Sequence, residues 1–329
     1  MPTLTVDDNG AGQRLERFLR KVLGGMPKSH IFKLLRTRKV RVNGKRAGPG
    51  LVLSAGDTII IHMPPESFER DTQRRPPVAT SIDFTIKFED EHLLVVSKPP
   101  FLPVHQGAGH RTNSLIDQVH VYLEVDPGPT IFRPSLVHRL DRDTSGLLMI
   151  GKTIEVVRRL SKMLRSGQVE KSYLALAKGI PQPRKGTWEF NIERRDVPGT
   201  RRAGHSSRVR PKSAARTDYR VATTRKLPMG RSPGLSVSLL TLRLQTGRTH
   251  QIRSHLLQAG HPLAGDVRYG DRALNSKLRE HYDLKRQFLH AYRLVLDHPI
   301  TGKRYRWTDP FPPDLQTLAS SLRLAIPAD

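Results

Sequence analysis

The chain has no cysteine, which removes disulfides, thiolate nucleophiles and cysteine-ligated zinc together. Aromatic residues make up only 6% of it, too few for a surface built mainly on base stacking. No apolar run approaches the roughly 20 residues of a membrane-spanning helix, and Met1–Gly10 lacks the apolar core of a signal peptide. Acidic residues are scarce: 30 stand against 56 Lys plus Arg, a net charge of +26 over 329 residues. Such an excess makes the folded state repel itself unless a polyanion offsets it. The expectation is a soluble, cytoplasmic protein that binds the phosphate backbone of a nucleic acid.

The first 63 residues have a pattern of their own. Leu15, Phe18, Leu19 and Val22 recur at helical spacing until Gly24-Gly25. Ser29 is placed to cap a second short helix carrying Ile31, Phe32, Leu34 and Leu35, with Lys28, Lys33, Arg36 and Arg38 on its other face. Val40-Arg41-Val42 leads into the hairpin turn Asn43-Gly44 and then Lys45-Arg46. A closing strand is expected over Asp57–Ile61, after a turn at Ala55-Gly56. Cations borne by both helix and turn favour RNA over a merely solvated face. Residues 64–80, rich in Pro and in charges of both signs, read as a linker.

The remainder, 81–329, mixes strands and helices without regular alternation, which predicts an α+β fold on a mostly antiparallel mixed sheet. Phe84, Ile86 and Phe88 alternate, and Leu93–Val96 is a buried strand stopped by Pro99-Pro100. Helices are expected at Ser114–Leu123, at Ile154–Leu164 with Ile154, Val157, Leu160 and Leu164 inward, and at Thr249–Gln258 with Thr249 as cap. Further strands are expected around Tyr173–Ala177, Val237–Leu244 and Tyr292–Leu296. The Gly- and Ser-rich basic stretch 194–216 reads as a loop.

Chemistry concentrates in His138-Arg139-Leu140-Asp141-Arg142-Asp143-Thr144-Ser145-Gly146, where two carboxylates and two guanidinia meet a buried strand. Burial by itself raises the pKa of a carboxylic acid, and a neighbouring guanidinium lowers it. An isolated cluster of this kind is more often a loop held by ion pairs. Gly146–Thr153 formally satisfies the phosphate-loop pattern, but its four intervening residues are large and apolar, which suits a buried strand and not a cradle of converging amides. His250, His255 and His261 lie close in sequence without an HExxH pattern or a carboxylate in register, so no metal site is expected. No GxSxG elbow accompanies a serine.

Taken together, His138-Arg139-Leu140-Asp141 with Thr144-Ser145-Gly146, Lys171-Ser172-Tyr173 and Thr246–Arg253 resemble the motifs of the RluA-type pseudouridine synthases. Leu94–Pro99, Pro103-Val104-His105 and Asp266–Asp271 add to the likeness, and residues 12–63 resemble the S4 RNA-binding domain of large-subunit rRNA members. The resemblance implies isomerisation of uridine in ribosomal RNA to its C5-glycoside by a monomeric enzyme without cofactor or metal. It implies that Asp141 is the catalytic carboxylate, attacking the ribose C1′ or the pyrimidine ring, or abstracting a sugar proton. It implies that Arg253 pairs with Asp141, that Tyr173 stacks on the extruded base, and that Arg139 fills the space the base leaves. Asp143 is left to support the loop or a basic neighbour. Lys28, Lys33, Arg36, Arg38 and Lys45 would hold the RNA backbone. The alternative is an RNA-binding assembly factor with the same scaffold and no activity.

Overall fold

The structure is a computed structural model that describes residues 1–8, 10–23, 26–64, 66–68, 81–106, 113–125, 132–191, 214–229 and 232–324. Most of the expected linker, Gly24-Gly25 and nearly all of the basic stretch 194–216 lie outside the described residues. The chain forms two compact units, one of Met1–Ile82, His105–Ser135 and Ile150–Val157, the other of Asp83–Val104, Leu136–Met149 and Arg158–Asp329.

In the first unit β1 (Thr3–Thr5), β2 (Val40–Val42), β3 (Lys45–Arg46) and β4 (Thr58–Ile61) form an antiparallel sheet in the order β1-β4-β2-β3. Helices α1 (Leu15–Val22) and α2 (Lys28–Arg36) pack with it around Leu15, Phe18, Leu19, Ile31, Ile59 and Ile61. The Asn43-Gly44 turn has φ of 49° and 73°, the left-handed pair that a two-residue hairpin of this kind requires. Ser29 is not the cap of α2: Pro27 occupies that position with φ −56° and ψ 141°, and Ser29 lies within the helix. A proline whose missing N–H costs nothing before the first turn outcompetes the serine. Phe32 faces outward, 37% exposed, with the Lys28 ammonium 5.7 Å from its ring centroid.

Also in this unit, α3 (Leu115–Tyr122) starts at Ser114, whose N–H donates to the Asp117 carboxylate at 3.0 Å. Along α4 (Ile154–Arg165), whose residues from Arg158 on belong to the second unit, the fully buried positions are Val156 and Leu160. Leu160 is buried as expected, whereas Val156 was not among the expected inward positions. Ile154 and Val157 are only half-buried.

The second unit is built on a ten-stranded sheet with the path β10-β11-β12-β9-β13-β8-β6-β5. Its strands are β5 (Thr85–Glu89), β6 (Leu93–Lys98), β8 (Ser145–Gly151), β9 (Glu170–Lys178), β10 (Lys185–Phe190), β11 (Ala215–Met229), β12 (Ser232–Leu244) and β13 (Leu289–Asp297). β14 (Arg304–Thr308) pairs with β13, and β7 (Ser135–Leu136) with β8. The pairing is antiparallel wherever its register is defined except between β8 and β13, which run parallel. This is the α+β architecture expected. The alternation read in Phe84, Ile86 and Phe88 breaks, because a bulge between Ile86 and Phe88 shifts the register and leaves Ile86 40% exposed.

Leu93–Val96 are fully buried, and so are all residues of β8. The GxxxxGK[ST] look-alike is therefore a core strand and offers no open loop. Helices α5 (Gln251–Gln258), α6 (Arg272–Tyr282) and α7 (Pro313–Ser321) complete the unit. Thr249 does not cap α5; His250 does, in the left-handed region at φ 54°.

Candidate active site

Asp141 sits on the loop between β7 and β8, and the four residues after it are each tied to the body of the second unit. The Arg142 carbonyl accepts from Lys98 Nζ at 2.9 Å and the Asp143 carbonyl from Arg286 Nη1 at 3.0 Å. Thr144 Oγ1 meets Gln287 Nε2 at 2.6 Å, and Ser145 Oγ lies 3.2 Å from Arg286 Nη2 and 3.0 Å from His290 Nδ1. On the near side, His138 turns back so that Nε2 accepts the Met149 N–H at 3.2 Å. Gly146 closes the loop at φ 116°, and a methyl there would run into the Ala291 backbone of β13. Only glycine permits that conformation and that approach. The loop is thus preorganised by buried donors, which is what a reacting group held in one geometry requires.

Lys98 and Arg286 are the largest polar groups beneath this loop, and both are fully buried. Lys98 also donates to the carbonyls of Pro99 and Leu102 at 2.6 and 3.0 Å. Burial, reinforced by the Arg286 charge, lowers its pKa to about 7, against the pull of Asp143 and Asp141. Arg286 holds Asp314 in a two-point contact of 2.6 and 3.0 Å. Burial, reinforced by the Lys171 charge, lowers His138 to about 3, so it is a neutral acceptor.

Arg253, on the first turn of α5, joins the loop to a second carboxylate. Its Nη1 donates to Asp141 Oδ2 at 2.9 Å, while Nε and Nη2 grip Asp266 at 2.6 and 2.9 Å. The Asp266 side chain is fully buried and accepts the N–H groups of Arg268 and Tyr269 at 2.9 and 3.0 Å. Burial raises the Asp266 pKa, but the Arg253 bonds and these amides outweigh it and leave the carboxyl below its ordinary value. Burial also opposes the Arg253 charge, and the hydrogen bonds to Asp266 and the charge of Asp141 more than restore it. The guanidinium lies 5.0 Å from the Tyr269 ring centroid, within cation–π range. His250 joins from the α5 cap, with Nε2 3.8 Å from Asp141 Oδ1 and Nδ1 3.2 Å from Tyr269 Oη.

Tyr173 is buried on β9, opposite Leu242 of β12. Burial raises its phenol pKa, and the Asp141 charge raises it further. The Thr246–Gln251 turn is held through Gln251, whose Oε1 accepts from Thr246 Oγ1 and the Arg248 N–H at 2.8 and 3.0 Å. Its Nε2 donates to the Arg216 carbonyl at 2.9 Å.

The structure therefore brings Asp141 and Arg253 together, as expected, and puts Tyr173 within reach of the Asp141 field. Arg139 is exposed two residues before Asp141. Asp143 is bound by Arg142 at 2.7 and 3.1 Å. Asp266, Tyr269, Lys98 and Arg286 complete the site without having been assigned roles from sequence, and His250, one of three histidines expected to contact RNA or cap the helix, stands at the α5 cap. Asp266, Tyr269, His250 and Lys98 stood inside quoted motifs, which was the available signal. The three histidines of 250–261 diverge: His255 is buried with its ring edge-on to Phe190, and His261 Nδ1 is 3.0 Å from the Lys178 carbonyl. Among the described residues no group of three or more His, Cys, Asp or Glu is placed to hold a metal ion. None of the described helices is long and apolar enough to cross a membrane. In the first unit Lys28, Lys33, Arg36, Arg38 and Lys45 are all exposed.

The chain belongs to the RNA pseudouridylate synthase family, whose model matches residues 92–258, and an S4 domain matches 13–59. It is 36% identical over 340 residues to Ribosomal large subunit pseudouridine synthase C of Escherichia coli (strain K12), covering 98% of this chain and 96% of that protein. The proteins of that name from Salmonella typhimurium (strain LT2) and Pasteurella multocida are 37% and 34% identical, over 96% and 97% of this chain and 94% and 93% of theirs. Among solved structures, Human RNA Pseudouridylate Synthase Domain Containing 4 aligns with TM-score 0.56 at 24% identity, over 74% of this chain and 94% of that one. Human RNA Pseudouridylate Synthase Domain Containing 1 aligns with TM-score 0.51 at 25% identity, over 75% and 98%. The chain is a pseudouridine synthase with an N-terminal S4 domain.

Proposed function

We propose that this chain isomerises specific uridines of large-subunit ribosomal RNA to pseudouridine, with Asp141 as the catalytic carboxylate. The observation that carries this reading is the 2.9 Å contact between Asp141 and Arg253, residues 112 positions apart, at the end of a loop anchored at every following residue. The substrate follows from the names of the relatives, which match this chain over nearly their whole length. Asp141 attacks the ribose C1′ or the pyrimidine ring, or removes a sugar proton, so that the N1–C1′ bond breaks. The uracil turns, C5 bonds to C1′, the C5 proton is lost while N1 takes one up, and Asp141 is released as a free carboxylate. Arg253 supplies the positive charge beside the carboxylate, and Tyr173 packs on the base once it has left its stack. Arg139, exposed at the loop, occupies the vacated position. Residues 1–63 act as the S4 module, with Lys28, Lys33, Arg36, Arg38 and Lys45 on phosphates, and residues 64–80 link it to the catalytic domain 81–329. The enzyme works as a monomer in the cytoplasm.

The test is a map of pseudouridines across ribosomal RNA from cells with and without this protein, with conversion by the purified chain alongside. One or a few large-subunit positions should depend on it. An unchanged map together with no conversion in vitro would remove the reading.

A further inference from the structure

The sheet of the second unit has two different faces where β10, β11, β12, β9 and β13 lie side by side. Cross-strand register puts Tyr219, Leu242 and Tyr173 on one face. It puts Asp218, Arg243, Ser172 and Arg293 in a row on the other, since successive residues of a strand point to opposite sides. Lys185 and Arg220, directly paired between β10 and β11, share that second face. There the residues line an open trough of about 650 Å³.

The charges of this trough do not cancel. Lys185 and Arg220 are both exposed and form no ion pair among the described residues. Like charges directly opposite on adjacent strands destabilise a sheet. Asp218 contributes one negative charge to the trough but forms no ion pair with either among the described residues; its two oxygens accept from Thr187 Oγ1 at 2.7 Å and Gln245 Nε2 at 2.6 Å. Arg243 approaches Glu170 at 3.6 Å, but Glu170 is shared with Arg304 at the same distance. The cations stand on four of five adjacent strands, β9 contributing the neutral Ser172, and with neighbouring strands roughly 4.8 Å apart the row spans about 19 Å. That is a length for several successive phosphates and not for one small anion. A purely solvated face accounts for exposure, but not for a concave row of cations kept in a like-charged cross-strand pair.

We propose that this trough, on the sheet face opposite Tyr173, is a second RNA-docking surface that holds the phosphate backbone of a segment of the substrate RNA outside the reacting loop. The proposal rests on the functional reading above only in taking the polyanion to be the substrate RNA. It adds a contact that neither the S4 module nor the loop bearing Asp141 supplies.

The full chain and its Lys185→Gln/Arg220→Gln variant are compared in binding an in vitro transcript of large-subunit ribosomal RNA and a short uridine-containing oligonucleotide across salt concentrations. Loss of two phosphate contacts predicts transcript affinity about tenfold weaker near 0.1 M salt and a salt slope shallower by about one to two. Oligonucleotide affinity and the saturated single-turnover conversion rate should be unchanged, and the thermal midpoint should not fall, since the like-charged pair is removed. Unchanged transcript affinity and slope would overturn the proposal, as would equal weakening for transcript and oligonucleotide. Binding of polyglutamate that the variant loses, with transcript binding intact, would assign the trough to an acidic protein instead and overturn it as well. If the wild-type chain converts no uridine, the functional reading fails while the binding arms still decide the trough.

Discussion

Arg253 turns two of its nitrogens to Asp266 and leaves a third for Asp141. The position of the proposed catalyst is thus set by a buried carboxylate that is itself fixed by two backbone amides. A guanidinium can do this because its fork is planar and rigid; a lysine ammonium could not grip both edges at once.

The first prediction concerns that clamp. Asp266→Asn keeps the shape but removes the charge that orients Arg253. Turnover should fall by about 10²-fold, the cost of misplacing a reacting group by an ångström. RNA affinity should stay within a factor of about two, because binding rests on phosphates. Single-turnover rates and binding isotherms separate the two effects, and equal loss of both would mean Asp266 serves only folding.

Gly146 gives a second. Alanine there meets the Ala291 backbone and is held at φ 116°. Gly146→Ala should cost about 2 kcal/mol or more and slow conversion, measured by urea unfolding and single-turnover assay. A variant as stable and as active as wild type would show that the β8–β13 junction can yield.

Lys98 gives a third, through pH. Its pKa is about 7 in the fold against an ordinary 10.5. Between these values the unfolded chain holds the proton and the native one releases it, so the Lys98 contribution to stability rises with pH over that window. Below about 7 both states are protonated and this dependence vanishes. Relative to Lys98→Met, wild type should therefore gain up to about 1.4 kcal/mol per pH unit between pH 7 and 10. Parallel unfolding curves for the two proteins across that range would contradict the buried-charge account.

How much of this was legible in the sequence depends on whether the signal was local. The strands at Leu93–Lys98 and Ser145–Gly151 announce themselves as apolar runs, and their burial excluded the phosphate-loop look-alike. The Asn43-Gly44 turn was equally plain, because left-handed backbone selects those residues. The Asp141–Arg253 pair came from the likeness of separate motifs, since no local pattern joins residues 112 apart. What stayed hidden was the support beneath: Arg286, Gln287 and His290 anchor residues more than 140 positions away. Caps failed for another reason. Ser29 and Thr249 had the right side chains, but Pro27 and a left-handed His250 already fixed the helix starts. The Ile86–Phe88 bulge reversed an alternation that residue types alone cannot reverse.

The central claim, that the Asp141 carboxylate does the chemistry, is tested most directly by Asp141→Asn. The exchange is isosteric and leaves a partner for Arg253 while removing the charge. Purified variant and wild type are given large-subunit ribosomal RNA transcript, and pseudouridine formation and RNA affinity are measured together. The account predicts no detectable conversion with affinity largely retained. Pseudouridine formed at the wild-type rate by the variant would contradict it.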